Sequence, residues 1–295
     1  MSVLLLGASG YIGRAFADEL NRRKIKFESP PRRWIDYANF NTLSNYLRSL
    51  RPDLVINAAG YTGKPNVDVC EAHKSDTFQG NVRLPVSIAY ACERGAIPWA
   101  HLSSGCLYNG AGPYTESDEP NFSFEHPPCS YYSGCKATAE KLISGVGRCY
   151  IWRLRLPFDG IDGQRNYLSK LMRYPKLLEA TNSLSHRGDF VNACLDLWDN
   201  RAPFGTYNIT NPGAVSTGEV AYMIRAAGLK HEFEFFKDDA EFYREAAIAP
   251  RSNCVLSVAK LLSFGVKMRC VQDALVDSLT RWNPEARLAT PMIKG

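Results

Sequence analysis

Ser2-Val-Leu-Leu-Leu-Gly7-Ala-Ser-Gly10-Tyr-Ile-Gly13 decides the fold of this chain. Its first five residues are a continuous apolar run, the pattern of a parallel strand covered on both faces. From Tyr11 onward the apolar positions Ile12, Phe16 and Leu20 recur with helical spacing. The three glycines therefore sit at a strand-to-helix turn. There the missing Cβ atoms permit a tight turn, let a pyrophosphate approach the backbone and allow helix and strand to pack closely, with the helix N-terminus facing the anion. Gly7, Ser9, Gly10, Tyr11, Ile12 and Gly13 are the candidate contacts to a dinucleotide.

Strands and helices alternate through the following residues, which predicts an α/β fold with a Rossmann-like, doubly wound parallel sheet. Strands are expected at Ser2–Leu6, Lys26–Glu28, 53–57, 98–102 and 149–155, and helices at Phe40–Leu50, 74–94 and 131–146. Past Pro157 the pattern breaks up: a Gly- and Asp-rich loop at 158–165, a short basic helix at 166–174, and a helix at 191–199. A late strand near 206–210 is expected to return to the sheet. From Ser216, helices with a strand at 232–236 are expected to form a smaller C-terminal substrate-binding lobe over the carboxyl edge of the strands, where open α/β sheets bind ligands. The expected division is 1–156 for the dinucleotide-binding domain and 157–295 for most of the substrate lobe.

At 295 residues, 45% apolar and 22% charged, the chain can bury a substantial core. No apolar run approaches the about 18 residues of a membrane span, and the first residues lack a basic secretion-signal region, so a cytoplasmic protein without a membrane partner is expected. Nine cysteines without a Cys-x-x-Cys repeat fit reduced thiols better than a disulfide framework or a zinc site, and the scattered histidines suggest no metal. The net charge of +5 comes without a basic stripe interleaved with aromatics, so nucleic acid is not the expected partner. The basic residues are expected to serve polyanionic small molecules.

The chemistry is carried by Tyr132-Ser-Gly-Cys-Lys136. Tyr and Lys four apart share a helix face, so the ammonium is expected to hold the phenol below its usual value of about 10 and make it a proton donor to a carbonyl. Ser104, after the apolar run 97–102, is placed to bond the same oxygen. Cofactor choice turns on Phe27-Glu-Ser-Pro-Pro-Arg-Arg33. An acidic residue about 20 residues past the glycines favours NAD, whereas arginines there favour a 2′-phosphate. Arg32 and Arg33 therefore point to NADPH over NADH; the alternative is that both are solvated loop charges.

The G-x-x-G-x-x-G spacing with the Ser, Tyr and Lys resembles the extended short-chain dehydrogenase/reductase superfamily, in which Asn57-Ala58-Ala59-Gly60 lines the cofactor and Asn81 is a scaffold position. The segments Asn57-Ala-Ala-Gly-Tyr-Thr-Gly-Lys-Pro-Asn-Val-Asp-Val-Cys-Glu71, Ser104-Gly-Cys106, Arg153-Leu-Arg-Leu-Pro157, Asn208-Ile-Thr-Asn-Pro-Gly213 and Ala249-Pro-Arg-Ser-Asn253 narrow this. Together they resemble the nucleotide-rhamnose synthase/epimerase-reductase family, over residues 2–262, with a more distant similarity to dTDP-4-dehydrorhamnose reductase and GDP-fucose synthase. That resemblance implies 3,5-epimerisation of a nucleotide-4-keto-6-deoxy-hexose, then NADPH reduction at C4 to a nucleotide-L-rhamnose. It implies Cys106 and Lys170 as the acid/base pair of the epimerisation, Asn166 and Arg251 as substrate contacts, and a homodimer.

Inverting a carbon beside a ketone requires a base on one face and an acid on the other, and an extended segment would put Cys106 on the same side as Ser104. Cys106 is otherwise a buried structural thiol, and Lys170 a phosphate-steering or solvated charge. Arg251 offers a bidentate fork to a diphosphate; Arg165, Arg173 and Lys176 are either further diphosphate contacts or surface charge. Asp68, Cys70 and Glu71 carry no role derivable from sequence. The chain departs from the family at Gly134, at 113–129 and at 182–190. Two other functions stay open: a 4-reductase without epimerase activity, and a non-catalytic NADP-binding regulatory subunit.

Overall fold

The computed structural model describes residues 1–284, so residues 285–295 of the expected 157–295 lobe lie outside the described part. The strands are β1 (Ser2–Leu6), β2 (Lys26–Glu28), β3 (Leu54–Asn57), β4 (Trp99–Ser104), β5 (Gly110–Tyr114) and β6 (Cys149–Leu154). After them come β7 (Lys176–Leu177), β8 (Thr181–Asn182), β9 (Gly205–Asn208), β10 (Val215–Ser216), β11 (Glu234–Phe235) and β12 (Cys254–Leu256). The helices of the first half are α1 (Tyr11–Arg22), α2 (Phe40–Leu50), α3 (Asp68–Ala72), α4 (Lys74–Phe78), α5 (Leu84–Arg94) and α6 (Tyr131–Ile143). Those of the second half are α7 (Tyr167–Arg173), α8 (Arg187–Asp199), α9 (Thr217–Ala226), α10 (Asp239–Glu245), α11 (Ala259–Ser263) and α12 (Val271–Thr280).

Six strands form one parallel sheet in the order β2-β1-β3-β4-β6-β9. Strand order reverses between β1 and β3, and the crevice at such a switch point is where doubly wound sheets bind nucleotides. Alternation along the strands explains the apolar runs. Val3, Leu5, Leu54, Ile56, Ala100, Tyr150 and Trp152 face α1 and α8, with Phe16 stacked on Trp152 at 5.9 Å. Leu4, Leu6, Val55, Trp99 and Ile151 face α2 and α5. A separate core of Phe158, Leu168, Leu184, Val220, Leu275 and their neighbours unites α7, α9 and α12. Residues past 157 thus divide: β9 completes the sheet, α8 and α11 pack against it, and α7, α9 and α12 build their own core.

Several elements depart from the sequence reading. The helix expected over 74–94 contains a π-helical turn, Gln79–Arg83, between α4 and α5. The extra residue lets Gly80 meet Tyr61: a Cβ on Gly80 would lie 2.8 Å from the Tyr61 Cβ. Helix α8 begins four residues before the expected start at 191, because the His186 side chain accepts from the Asp189 N–H and caps it. The late strand is Gly205–Asn208 rather than 206–210, and the strand expected at 232–236 is the two-residue β11, parallel to β7. Unanticipated β5 pairs with β12, tying the segment after β4 to the C-terminal part.

Candidate active site

The cofactor cradle is assembled from the ends of β1 and β3. Gly7 has φ +84°, and a Cβ there would lie 2.6 Å from the Ala59 backbone nitrogen. A Cβ on Gly13 would fall 2.0 Å from the Gly7 carbonyl oxygen. These two positions demand glycine, and they press the β1–α1 turn against Ala58 and Ala59. Gly10 caps α1 in extended conformation without a side chain to occupy the helix N-terminus. Ser9 is exposed beside it. Asn57 shapes the opposing turn: its Oδ1 accepts from the Ala59 N–H at 3.1 Å and its Nδ2 donates to His101 Nδ1 at 3.0 Å. Asn81, in the π-helical turn, donates to the Tyr61 and Thr77 carbonyls at 2.6 and 3.0 Å and accepts from the Tyr61 N–H at 3.3 Å. It holds the chain just past Gly60. The cradle therefore fits a pyrophosphate.

Two of the expected contacts in this turn have their side chains committed elsewhere. The Tyr11 phenol donates to Asp159 Oδ1 at 3.0 Å, and the Arg187 guanidinium lies over its ring at 4.8 Å. Burial, then the Asp159 charge, pushes that phenol well up. Ile12 packs into the core. Only their backbone groups remain for a ligand at the helix N-terminus. At the end of β2, Arg32 and Arg33 are exposed and neither has a carboxylate partner among the described residues; Arg32 lies over Tyr37 at 5.4 Å and Arg33 over Trp34 at 5.8 Å. Glu28, the acid that would serve a ribose hydroxyl, accepts the Tyr46 hydroxyl at 2.6 Å.

Helix α6, capped by Ser130, carries Tyr132 and Lys136 against the end of β4. Lys136 is 4% exposed and donates to the Leu102 carbonyl at 2.9 Å; burial pushes its ammonium down to about 8. The expectation that this lysine depresses the Tyr132 phenol is overturned. Burial, reinforced by Cys106 and Cys70, holds Tyr132 well above 10, and only Ser104 and Arg165 pull the other way. The physical reason is packing: the lysine head is drawn under the strand end, and both groups lose water. Ser104 ends β4, and its Oγ accepts the Cys106 N–H at 3.3 Å. Cys106 therefore lies in a 3₁₀ turn, Gly105–Leu107, not in the extended segment expected. Its charge state still reaches Tyr132, Lys136 and Cys70. All nine cysteines are free, and Cys106 is one of only three that are not buried.

Gly134, the departure within the pentad, is explained by the loop over 113–129. A Cβ there would lie 2.2 Å from the Phe124 ring, which also sits 5.3 Å from the Tyr131 ring. The glycine lets this loop settle on α6 beside Tyr132.

Lys170 lies on α7, partly buried, and burial, with the like charges of Arg165 and Arg251, pushes it down to about 8. Arg165 joins it to the rest of the site, acting on both Lys170 and Tyr132. The two expected substrate contacts are differently employed. Asn166 is completely buried as the cap of α7: Oδ1 accepts from the Leu168 N–H at 2.9 Å, and Nδ2 donates to the Asp159 and Ile161 carbonyls at 2.7 and 2.8 Å. It has no donor to spare, so its side chain builds the site rather than binding substrate. The Arg251 fork grips Asp68 at 2.8 and 2.6 Å, a carboxylate where a diphosphate was expected. Burial works to raise Asp68, but Arg251 and the Ala249 and Ile248 N–H groups hold it below the usual carboxylate range. Arg173 pairs with Asp162, and Lys176 with Glu241 and Glu245, so neither is a free phosphate contact.

Sequence reasoning missed the supports. Glu71 accepts the Tyr131 N–H at 2.7 Å at the head of α6. Behind the site, Arg153 donates to both Glu140 oxygens and to the Tyr108 hydroxyl, while Ser103 donates to the same Glu140. The signal was Arg153 in an otherwise apolar strand, since a buried cation needs a partner. Asp159, by accepting from Tyr11 and Asn166 and pairing with Arg187 at 2.7 Å, ties the glycine turn to α7.

Comparison with known proteins agrees with this architecture. Residues 1–283 match the model of the RmlD substrate binding domain. A trifunctional UDP-glucose 4,6-dehydratase/UDP-4-keto-6-deoxy-D-glucose 3,5-epimerase/UDP-4-keto-L-rhamnose-reductase of Arabidopsis thaliana is 30% identical over 94% of this chain, which spans 41% of that relative's length. A bifunctional dTDP-4-dehydrorhamnose 3,5-epimerase/dTDP-4-dehydrorhamnose reductase from the same plant is 29% identical, over 92% of this chain and 90% of the relative. Among solved structures, a UDP-rhamnose synthase of Acanthamoeba polyphaga mimivirus superposes with a TM-score of 0.84 at 22% identity, covering 95% of this chain and 99% of the other. A dTDP-4-dehydrorhamnose reductase of Bacillus anthracis in complex with NADP gives 0.79 at 20% identity, over 95% and 98%. At such identities the structures share the fold, and the match along nearly the whole length places the chain in the RmlD substrate-binding domain family.

Proposed function

We propose that the protein reduces the C4 ketone of a nucleotide-linked 4-keto-6-deoxy-hexose with NADPH, after epimerising C3 and C5, to give a nucleotide-L-rhamnose. The observation that carries this reading is the meeting of Ser104, Tyr132 and Lys136 with Cys106 at the end of β4, the strand paired with β3, from which the turn at 57–60 leaves. The relatives' names supply the substrate class and the pairing of the two activities.

The cradle of Gly7, Gly10, Gly13 and 57–60 would hold the dinucleotide, with Arg32 and Arg33 on its 2′-phosphate. When bound, NADPH supplies the hydride to C4. Tyr132, kept protonated by burial, gives its proton to the oxygen that becomes the alcohol, and Ser104 bonds the same oxygen. In the epimerisation, those two hydroxyls stabilise the enolate oxygen. Lys170, brought to about 8, is partly unprotonated near neutrality and takes the α-proton, and Cys106 returns one on the other face. Free arginines past β2, with Glu28 already bonded to Tyr46, favour NADPH over NADH. Replacing Arg32 and Arg33 with Ala is expected to raise the KM for NADPH by roughly 10- to 100-fold, the scale of a lost hydrogen bond to a charged group. The KM for NADH should hardly move; equal effects on both cofactors would take the arginines away from the 2′-phosphate.

The deciding experiment incubates the protein with NADPH and UDP- or dTDP-4-keto-6-deoxy-glucose in deuterium oxide. Deuterium at C3 and C5 with L-rhamnose stereochemistry is the expected product. Cys106→Ser should lose the inversion at C3 and C5, while Lys170 still exchanges α-protons on its own face, and should still reduce a sugar epimerised beforehand, because Ser104, Tyr132 and Lys136 are untouched. Inversion of C3 and C5 at the wild-type rate in Cys106→Ser would remove Cys106 from the chemistry. Reduction by the wild type without any exchange would leave a 4-reductase alone.

A further inference from the structure

The two apolar cores share no residue: α1 packs in the first, with Phe16 and Leu20, and α7 in the second, with Leu168 and Leu171. Where the glycine turn meets the segment leading to α7, the contact is polar and centres on Asp159, which is 6% exposed. Its Oδ1 accepts from the Tyr11 phenol at 3.0 Å, from Asn166 Nδ2 at 3.0 Å and from the Ile161 N–H at 3.2 Å. Its Oδ2 lies 2.7 Å from Arg187 Nε, and Arg187 Nη1 donates to the Tyr11 carbonyl at 3.4 Å. One carboxylate thus gathers the first residue of α1, the N-cap of α7 and the first residue of α8. Burying an anion this deeply is costly unless a cation and several donors meet it. Here they do, and bonds to a charged acceptor are the strong kind, so the three segments are held in one arrangement.

We propose that Asp159 is a positioning residue that couples the two halves of the site: a dinucleotide seated at the N-terminus of α1 fixes Tyr11, and the contacts from Tyr11 through Asp159 to Asn166 pass that restraint to α7 and set Lys170. This rests on the reading that the glycine turn holds a dinucleotide. Every link is a direct contact. Tyr11 opens α1, so its N–H is one of those without a partner inside the helix and is available to an anion. Burial keeps its phenol protonated and therefore a donor. Asn166 Nδ2 donates to the Asp159 carbonyl as well, at 2.7 Å, and Asn166 Oδ1 accepts the Leu168 N–H at 2.9 Å. The Asn166 backbone carbonyl accepts the Lys170 N–H at 3.1 Å. A pyrophosphate on the Tyr11 backbone adds a restraint at one end of this network, and local opening at the other end becomes rarer.

Amide hydrogen exchange read by mass spectrometry tests this coupling, on wild type and Tyr11→Phe, each alone and with NADP+ at equal saturation. In the wild type NADP+ should slow exchange in peptides over the β1–α1 turn and also over 167–173, the latter roughly tenfold, the fold-change of one hydrogen bond to a charged group. Tyr11→Phe removes the phenol O–H and keeps the ring under Arg187. Asp159 retains Arg187, Asn166 and the Ile161 N–H, so the variant should fold. It should show the wild-type slowing over the turn and lose most of it over 167–173. A merely structural bond would change exchange in Tyr11→Phe equally with and without NADP+; an NADP+-dependent slowing of 167–173 as large as in the wild type therefore overturns the proposal. Slowing confined to the turn in the wild type overturns it too, with the dinucleotide reading intact. If NADP+ slows neither segment, the dinucleotide reading falls and the coupling with it.

Discussion

Tyr132→Phe is expected to slow NADPH-dependent reduction of the 4-ketone at least ~100-fold, the usual scale for a lost general acid. The ring stays and the packing with it; only the O–H beside Ser104 is removed. Because burial keeps this phenol protonated, the loss should be the same throughout roughly pH 6 to 8, well below an unperturbed tyrosine's range. Binding of NADPH, followed by fluorescence titration, should be close to that of the wild type. Near-normal turnover would remove Tyr132 from the mechanism and leave its high proton affinity a consequence of burial alone.

The parts of this site that could be read from sequence are those set by local spacing. The β1–α1 turn follows from an apolar run, three glycines and a helical period, all within 21 residues of one another. Tyr132 and Lys136 share a face because a helix repeats every 3.6 residues. What spacing could not give was the direction of the lysine head, which depends on the carbonyl of Leu102, 34 residues away. Arg251 failed for the same reason: its carboxylate partner is 183 residues distant. Asn166 failed although Asp159 is only seven residues off, because capping and ligand contact use the same amide and composition cannot say which takes it. Strand β5, Gly-Ala-Gly-Pro-Tyr, shows no apolar alternation and exists by pairing with β12. The π-helical turn leaves the apolar periodicity of its flanks intact, so its extra residue is visible only where Gly80 meets Tyr61.

Glu140→Ala is expected to cost about 3–5 kcal/mol of stability, because it strands the Arg153 guanidinium in the core. The pair lies behind the site, with Glu140 one helical turn past Lys136 and both partners buried. Arg153 donates at 2.6 Å to Glu140 Oε2 and at 2.9 Å to the Tyr108 hydroxyl, and Tyr108 in turn donates to the Asp118 carbonyl at 2.8 Å. Ser103, next to Ser104, hangs its hydroxyl on the same carboxylate. Loss of Glu140 therefore leaves a cation and a hydroxyl unsatisfied at the strand end that presents Ser104. Replacing both charged partners by apolar residues of similar size is commonly far less harmful than removing one. The double variant Glu140→Leu, Arg153→Met should accordingly recover most of the urea midpoint lost in Glu140→Ala. If Glu140→Ala unfolds at the wild-type midpoint, Arg153 has found water or another partner and the pair does not hold β4 to α6. If the double variant is as unstable as the single one, the cost lies with the orphaned Ser103 hydroxyl rather than with the uncompensated charge.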